Sequence, residues 1–147
     1  MIHPSKNLDI LLEHITSLLT SKYDLILTNE LGVSYAQYKI LVQFKGDQII
    51  KQKTLAGSLG QSEASISRQI KIMSNGGLIH RSFESKNKKS VVITLTREGK
   101  VTKTKAEAIT DTQNTNSLHR VSSKERKLLT KNLSQIHDQI CANNRNH

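Results

Sequence analysis

The segment from Ser62 to Lys71 holds a dense set of side chains suited to contacting another molecule: the hydroxyls of Ser62, Ser65 and Ser67, the methyl of Ala64, and the cations of Arg68 and Lys71. Their chemistry is recognition of a polar, anionic surface. A guanidinium can bond guanine O6 and N7 together, an alanine methyl can meet a thymine methyl, and serines reach a base or a phosphate without holding a helix away. A second group lies further on, where Lys86, Asn87, Lys88 and Lys89 follow Arg81 with no large apolar residue among the last four. Such a stretch is expected to project, and a projecting cationic finger suits the negative potential of a minor groove.

These side chains need an element that aims them. Ile66, Ile70 and Met73 recur at helical spacing and define a buried face over about 63–75. Stepping 100° per residue from that face puts Ala64, Arg68 and Lys71 nearly opposite, with Ser65 and Ser67 on the flanks and Gln69 nearer the core. Ser62 is a good N-cap, Glu63 suits the positive end of the helix dipole, and the amides after Ser62 can receive a phosphate. A small helix at about 52–59 (Leu55, Ala56, Leu59) precedes it across a tight turn at Gly60-Gln61, and Asn75-Gly76-Gly77 supplies a left-handed stop. The period then alternates: Leu78 to Phe83 and Val91 to Leu95 are expected strands, joined by an extended tip from Glu84 to Lys89. Helix, tight turn, helix and hairpin make a winged helix-turn-helix, whose second helix lies in the DNA major groove. A polar helix face alone would read as ordinary solvated surface; the turn, the hairpin and the local charge point to nucleic acid.

The charge is concentrated there. The 147 residues carry 22 Lys+Arg against 12 Asp+Glu, a net charge of +10. Residues 45–105 hold 13 of the basic and four of the acidic side chains, a balance of +9, which leaves the flanks nearly neutral. Those flanks are amphipathic. Leu8, Leu11, Leu12, Ile15, Leu18, Leu19, Leu25 and Ile26 stripe a helix over about 6–28, and Ser34 with Gln37 forms a capping box that opens a second helix through Ile40, Leu41 and Phe44. Thr96 can cap a polar helix over about 97–118. Ser122 and Glu125 form another box before a last helix with Leu128, Leu129, Leu133, Ile136 and Ile140 on one face, and the tail from Asn143 is expected to fray. An apolar fraction of 35% is thin for a self-sufficient core, so these stripes are expected to bury one another across a two-fold axis.

With these residues in view, the chain resembles the MarR family of bacterial transcriptional regulators. The likeness lies in Leu55-Ala56, Ser62, Ile66-Ser67-Arg68, Met73 and Gly77-Leu78-Ile79-His80-Arg81, then Leu95-Thr96-Arg97-Glu98-Gly99 after the wing, and it extends in register to both ends. The resemblance implies a homodimer on a pseudo-palindromic operator, more often a repressor than an activator, in a bacterial or archaeal cytoplasm and associated with the nucleoid. Where the family carries Asp-x-Arg in the wing, this chain has Asn87 and Lys89. The acidic orienter and the planar guanidinium are lost, so a looser, more salt-sensitive wing contact is expected. Lys51 also stands where a Ser or Thr would cap the small helix.

The expected fold is therefore mainly α with a small two-strand β-hairpin wing. Residues 33–99 are expected to form the DNA-binding lobe, and 1–32 with 100–147 a helical dimerisation region using Leu8, Leu11, Leu12, Ile15, Leu129, Leu133, Ile136 and Ile140. The DNA contacts are assigned to Ser62, Ala64, Ser65, Ser67, Arg68, Lys71, Arg81, Lys86, Asn87, Lys88 and Lys89. The family's small, often aromatic or anionic effectors direct attention to His14, Tyr35 and Tyr38, each equally at home in a core. Other classes find little support. No apolar run exceeds three residues, so no membrane span is expected, and Asp9 and Glu13 interrupt the N-terminus too early for a signal peptide. Cys141 alone excludes an intramolecular disulfide, fits a reducing compartment and is expected to be a passive thiol. The six histidines form no i, i+4 pair and no Cys/His cluster, so no metal is expected. Gly57-x-x-Gly60 lacks the Gly-Lys-Ser/Thr of a phosphate loop, no catalytic constellation is legible, and neither an enzyme nor a cofactor is expected. An architectural DNA-binding protein, an activator on the same fold and a regulator working through protein contacts remain the alternatives.

Overall fold

The computed structural model describes residues 6–144, without the side chains of Asn87, Lys88, Asn143 and Asn144. His3, His147 and the end of the expected frayed tail lie outside the described residues. The described elements are α1 (Leu8–Leu31), α2 (Tyr35–Leu41), β1 (Ile50–Lys51), α3 (Gln52–Leu59), α4 (Glu63–Asn75), β2 (Ile79–Glu84), β3 (Asn87–Leu95), α5 (Arg97–Ser117) and α6 (Ser123–Asn144). They fall into two compact units, Met1–Thr110 and Asp111–His147, with α5 running from the first into the second.

Local sequence explains most boundaries. Asn7 caps α1 by accepting from the Asp9 N–H at 3.0 Å. The capping box of α2 forms as expected, with Gln37 N–H donating to Ser34 Oγ at 3.1 Å and Ser34 N–H to Gln37 Oε1 at 3.0 Å. The box of α6 forms likewise, Ser122 N–H donating to Glu125 Oε2 at 2.8 Å and Glu125 N–H to Ser122 Oγ at 3.3 Å. Helix α1 runs three residues past the expected end, to Leu31, because Tyr23 and Leu27 bury that last stretch. Helix α2 stops at Leu41, and Phe44 reaches the core from the turn that follows.

Two expectations need correcting. The sheet has three strands, in the order β1-β3-β2, all antiparallel. Ile50 pairs with Ile93 and Lys51 with Val92, so a third strand, too short to show any period, precedes α3. The wing tip is also shorter than the expected Glu84–Lys89 loop. β3 begins at Asn87, Glu84 pairs with Asn87 across a bulge at Phe83/Glu84, and only Ser85 and Lys86 make the turn. A third point concerns the stop after α4: Gly77 alone takes the left-handed backbone (φ 74°), while Gly76 stays at φ −80°.

The main core gathers Ile40, Leu41, Phe44, Ile50, Leu55, Ala56, Ile66, Ile70, Met73, Ile79, Ile93 and Leu95. Each of α2, α3, α4 and the three strands contributes, so the two helices of the turn motif are locked to the sheet by side chains with little or no exposure. A second cluster of Tyr23, Leu27, Val33 and Ala106 ties α1 to the first part of α5. Gly99 sets how α5 leaves the sheet. A Cβ built there would stand 1.9 Å from the Leu78 carbonyl oxygen, so only glycine permits this approach. Thr96 completes the joint. Its hydroxyl donates to Gly77 O at 2.6 Å and accepts from Gly99 N–H at 2.9 Å, and its own N–H donates to Leu78 O at 3.1 Å.

Candidate nucleic-acid interface

Helix α4 is fixed in rotation by Ile66, Ile70 and Met73, which are 0–1% exposed. That phase leaves Ala64, Arg68 and Lys71 exposed and holds Ser65, Ser67 and Gln69 at intermediate burial, the arrangement the helical steps imply. Ser62 caps the helix by accepting from Ser65 N–H at 3.2 Å, and Ser65 Oγ also donates to Gln61 Oε1 at 3.2 Å. The capping bond engages Ser62 and Ser65 inside the protein, so their contact with a ligand would be made alongside those bonds. Arg68 and Lys71 appear in no described ion pair. One large apolar residue exposed on this helix was not among the expected contacts: Ile72, four positions after Arg68.

The wing brings cations beside this helix through β2 and β3. Lys86 in the turn and Lys89 in β3 are exposed. The backbones of Asn87 and Lys88 open β3, and their side chains lie outside the described residues. Arg81 is exposed on β2 with its guanidinium 5.8 Å from the Phe83 ring centroid, a cation–π contact that restrains where it points. Helix α3 begins without a side-chain cap, as the expectation for Lys51 requires. Lys51 instead reaches across the sheet, its Nζ 3.1 Å from Glu84 Oε2, and together with Ser90 it lowers the Glu84 carboxyl below its usual range. Between the start of α3 and the root of the wing lies a notch of about 300 Å³ lined by Lys51, Gln52, Lys53, Glu63 and Lys89 among others. With Lys51 already paired to Glu84, Lys53 and Lys89 against Glu63 leave a small positive excess that favours an anionic occupant. Neither Lys51, read only as a poor cap, nor Lys53 was among the expected contacts, although their Lys-x-Lys spacing at a helix start was the available signal.

The residues considered for an effector are only partly brought together. Tyr35 stacks between Tyr23 and Tyr38, with ring centroids 5.2 and 5.9 Å apart. Its N–H donates to Asp24 Oδ1 at 2.8 Å, Lys39 Nζ lies 5.3 Å from its centroid, and burial, then the neighbouring Tyr38, raise its hydroxyl pKa. Tyr38 Oη and Thr110 Oγ1 share a hydrogen bond of 2.9 Å. His14 is exposed on α1, nine residues before Tyr23, about 13 Å along the helix. The tyrosines therefore form a half-buried stack, and His14 stands apart from it.

Of the residues expected to bury a dimer contact, Leu8, Ile15, Leu129 and Ile140 are exposed and Leu11, Leu12, Leu133 and Ile136 half-buried. Leu18 and Leu25 on α1 are more exposed still, at 60% and 64%. Cys141 is less isolated than its sequence suggested: its Sγ lies 3.5 Å from His137 Nε2, and His137 Nδ1 lies 3.1 Å from Asp138 Oδ1. Residues 137 and 141 are one helical turn apart, which brings these two side chains together. Among the described residues no group of three or more His, Cys, Asp or Glu is placed to hold a metal, and no helix is long and apolar enough to cross a membrane.

No protein-family model matches the sequence, and no curated protein matches it. Solved structures do. A SlyA-like transcription regulator from Listeria monocytogenes is 25% identical, covering 94% of this chain and 91% of its own at a TM-score of 0.84. MepR of S. aureus, solved as a complex with DNA, is 18% identical over 92% of this chain and 99% of its own, at 0.82. CouR from Rhodococcus jostii RHA1, solved bound to p-coumaroyl-CoA, is 17% identical over 92% of this chain and 95% of its own, at 0.81. The chain thus has the winged-helix fold of the MarR-family transcriptional regulators, over nearly its whole length.

Proposed function

We propose that the chain is a sequence-specific, double-stranded DNA-binding transcriptional regulator of the MarR type. It acts as a homodimer on a pseudo-palindromic operator, as a repressor that occludes a promoter, in a prokaryotic cytoplasm at the nucleoid. The observation that carries this reading is the exposed face of α4. Three buried apolar side chains fix its rotation, Arg68 stands at the centre of the opposite face, and the lysine-bearing wing flanks it in the segment that owns +9 of the net charge. Arg68 bonds a guanine edge in the major groove, Lys71 supports the backbone, and the wing tip with Arg81, Lys86, Asn87, Lys88 and Lys89 follows the adjacent minor groove.

The exposed apolar faces of α1 and α6 support the dimer. In each, leucines and isoleucines that face water in a single chain gain stability when a second copy covers them, at roughly 25 cal/mol per Å² of apolar surface. Two copies of α4 then address half-sites about 34 Å apart, one DNA turn. A small aromatic or anionic effector is assigned to the Tyr23-Tyr35-Tyr38 stack, where Lys39 supplies a cation beside an aromatic wall; His14 is retained only if the partner copy brings it there.

Selection of bound duplexes from a random pool, followed by binding of the Arg68→Ala protein, tests the reading. A palindromic consensus is expected, and Arg68→Ala should cost about 1–3 kcal/mol on it while relaxing preference at one position per half-site. An equal loss on random DNA would favour an architectural protein, and wild-type affinity after the substitution would remove α4 from the groove.

A further inference from the structure

We propose that Ile72 reads a thymine: its side chain packs on the C5-methyl of a thymine about two base pairs from the guanine that Arg68 bonds. The inference rests on the assignment of double-stranded DNA to the α4 face. Helix α4 carries three isoleucines, and two of them, Ile66 and Ile70, are wholly buried. Ile72 is 55% exposed and belongs to neither core cluster. Single exposed apolar residues are ordinary on a protein surface; the position of this one is what matters. Ala64, Arg68 and Ile72 follow each other at intervals of four, so they form one ridge on the exposed side. Each step is about 6 Å along the helix axis, close to two base pairs at 3.4 Å each.

The ridge is therefore small apolar, cationic, large apolar, and Lys71 adds a second cation beside it. That pattern matches duplex DNA better than an apolar protein groove, because the neighbouring cations Arg68 and Lys71 would be stripped of water in such a groove with nothing described to pair them. In the major groove the only apolar group on any base edge is the thymine methyl. Ile72 is long enough to meet it from the third turn of the helix, where Ala64 in the first turn needs a closer approach.

The test uses full-length protein and the operator recovered from a random pool. Each thymine of one half-site is replaced in turn by deoxyuridine, which deletes the C5-methyl and nothing else, and affinity is read by fluorescence anisotropy. At one thymine about two base pairs from the essential guanine, the replacement should weaken the wild-type protein about 3- to 10-fold, the worth of one buried methyl and its packing. Ile72→Ala should bind the thymine operator about as weakly as wild type binds the uracil one, and should lose less than twofold more on replacement. Ile72→Val, which keeps a branched apolar contact, should retain most of the uracil penalty. A flat uracil scan on wild type, or an undiminished penalty with Ile72→Ala, overturns the role of Ile72 while leaving α4 on DNA. A pool that yields no consensus overturns the sequence-specific DNA reading and this inference with it.

Discussion

Two glycine-to-alanine substitutions should move stability in opposite directions, because the space around the two glycines differs. At Gly99 a Cβ would meet the Leu78 carbonyl oxygen at 1.9 Å, the Leu78 carbonyl carbon at 3.0 Å and Thr96 Oγ1 at 3.4 Å. Reaching even the tightest tolerable separation of 3.0 Å requires α5 and the start of β2 to part by about 1 Å, since both atoms are backbone. That displacement falls on the joint where Thr96 N–H donates to Leu78 O and Thr96 Oγ1 to Gly77 O. Overpacking of this kind costs typically 1–3 kcal/mol, and weakening one or two hydrogen bonds adds about 1 kcal/mol each. Alanine's higher helix propensity returns up to about 1 kcal/mol. The net expectation is a loss of about 1–5 kcal/mol. Gly57 sits inside α3 with nothing within 4 Å of its would-be Cβ, so Gly57→Ala should instead gain about 0.5–1 kcal/mol. Urea unfolding followed by far-ultraviolet circular dichroism, at one fixed protein concentration because a dimer's stability depends on it, measures both. A Gly99→Ala protein as stable as wild type would refute the claim that the Leu78 carbonyl walls off that position.

Three further outcomes are expected. Replacing Lys86 and Lys89 by alanine should weaken binding to all duplexes and reduce the slope of log affinity against log salt by up to about two; an unchanged slope would take the wing off the backbone. Substituting Leu18 and Leu25 together by glutamate should shift sedimentation from dimer to monomer at micromolar concentration, and a dimer that persists would place the interface elsewhere. The third concerns acid. Hydrogen bonds from Ser122 lower the Glu125 pKa, and Lys51 with Ser90 and Lys100 do the same for Glu84 and Asp47 respectively. A carboxyl depressed in the folded state adds stability above its unfolded pKa, and that increment fades as pH falls through the lower folded value. Stability should therefore decline below about pH 4.5, the ordinary glutamate value, and Glu125→Gln, which keeps the capping geometry, should flatten part of that decline. An identical acid profile for the two proteins would contradict the assignment.

What could be read in advance depended on how far each element's cause lies within its own sequence. Helices α3 and α4 were legible because glycine stops and an apolar period, with the Ser62 cap for α4, all sit inside a window of about ten residues. β1 was not, because two residues carry no period and its existence depends on β3, some forty residues later. The wing was mistaken for a longer loop for a related reason. Asn87, Lys88 and Lys89 have little intrinsic strand preference, and β3 opens there because Asn87 pairs with Glu84 across the bulge, a contact no local pattern announces. The Leu-Thr-x-x-Gly stretch was visible as a pattern, but its purpose, a backbone contact between Gly99 and Leu78, is tertiary and appears only in the fold.

The same distinction divides the face of α4. Placing Arg68 opposite the core needed only the phase set by Ile66, Ile70 and Met73, and the fold reproduces that phase. Ile72 escaped because hydrophobicity was read as a mark of the core, and a period of 3.6 fitted to four apolar residues at 66, 70, 72 and 73 leaves one of them unexplained. The residue that breaks the period is the informative one. An apolar side chain that the helix geometry turns outward beside Arg68 and Lys71 is placed to meet an apolar group on whatever those cations attract. If that partner is duplex DNA, the choice narrows to a thymine methyl, and base preference on this helix then comes from dispersion at Ile72 as well as from hydrogen bonding at Arg68.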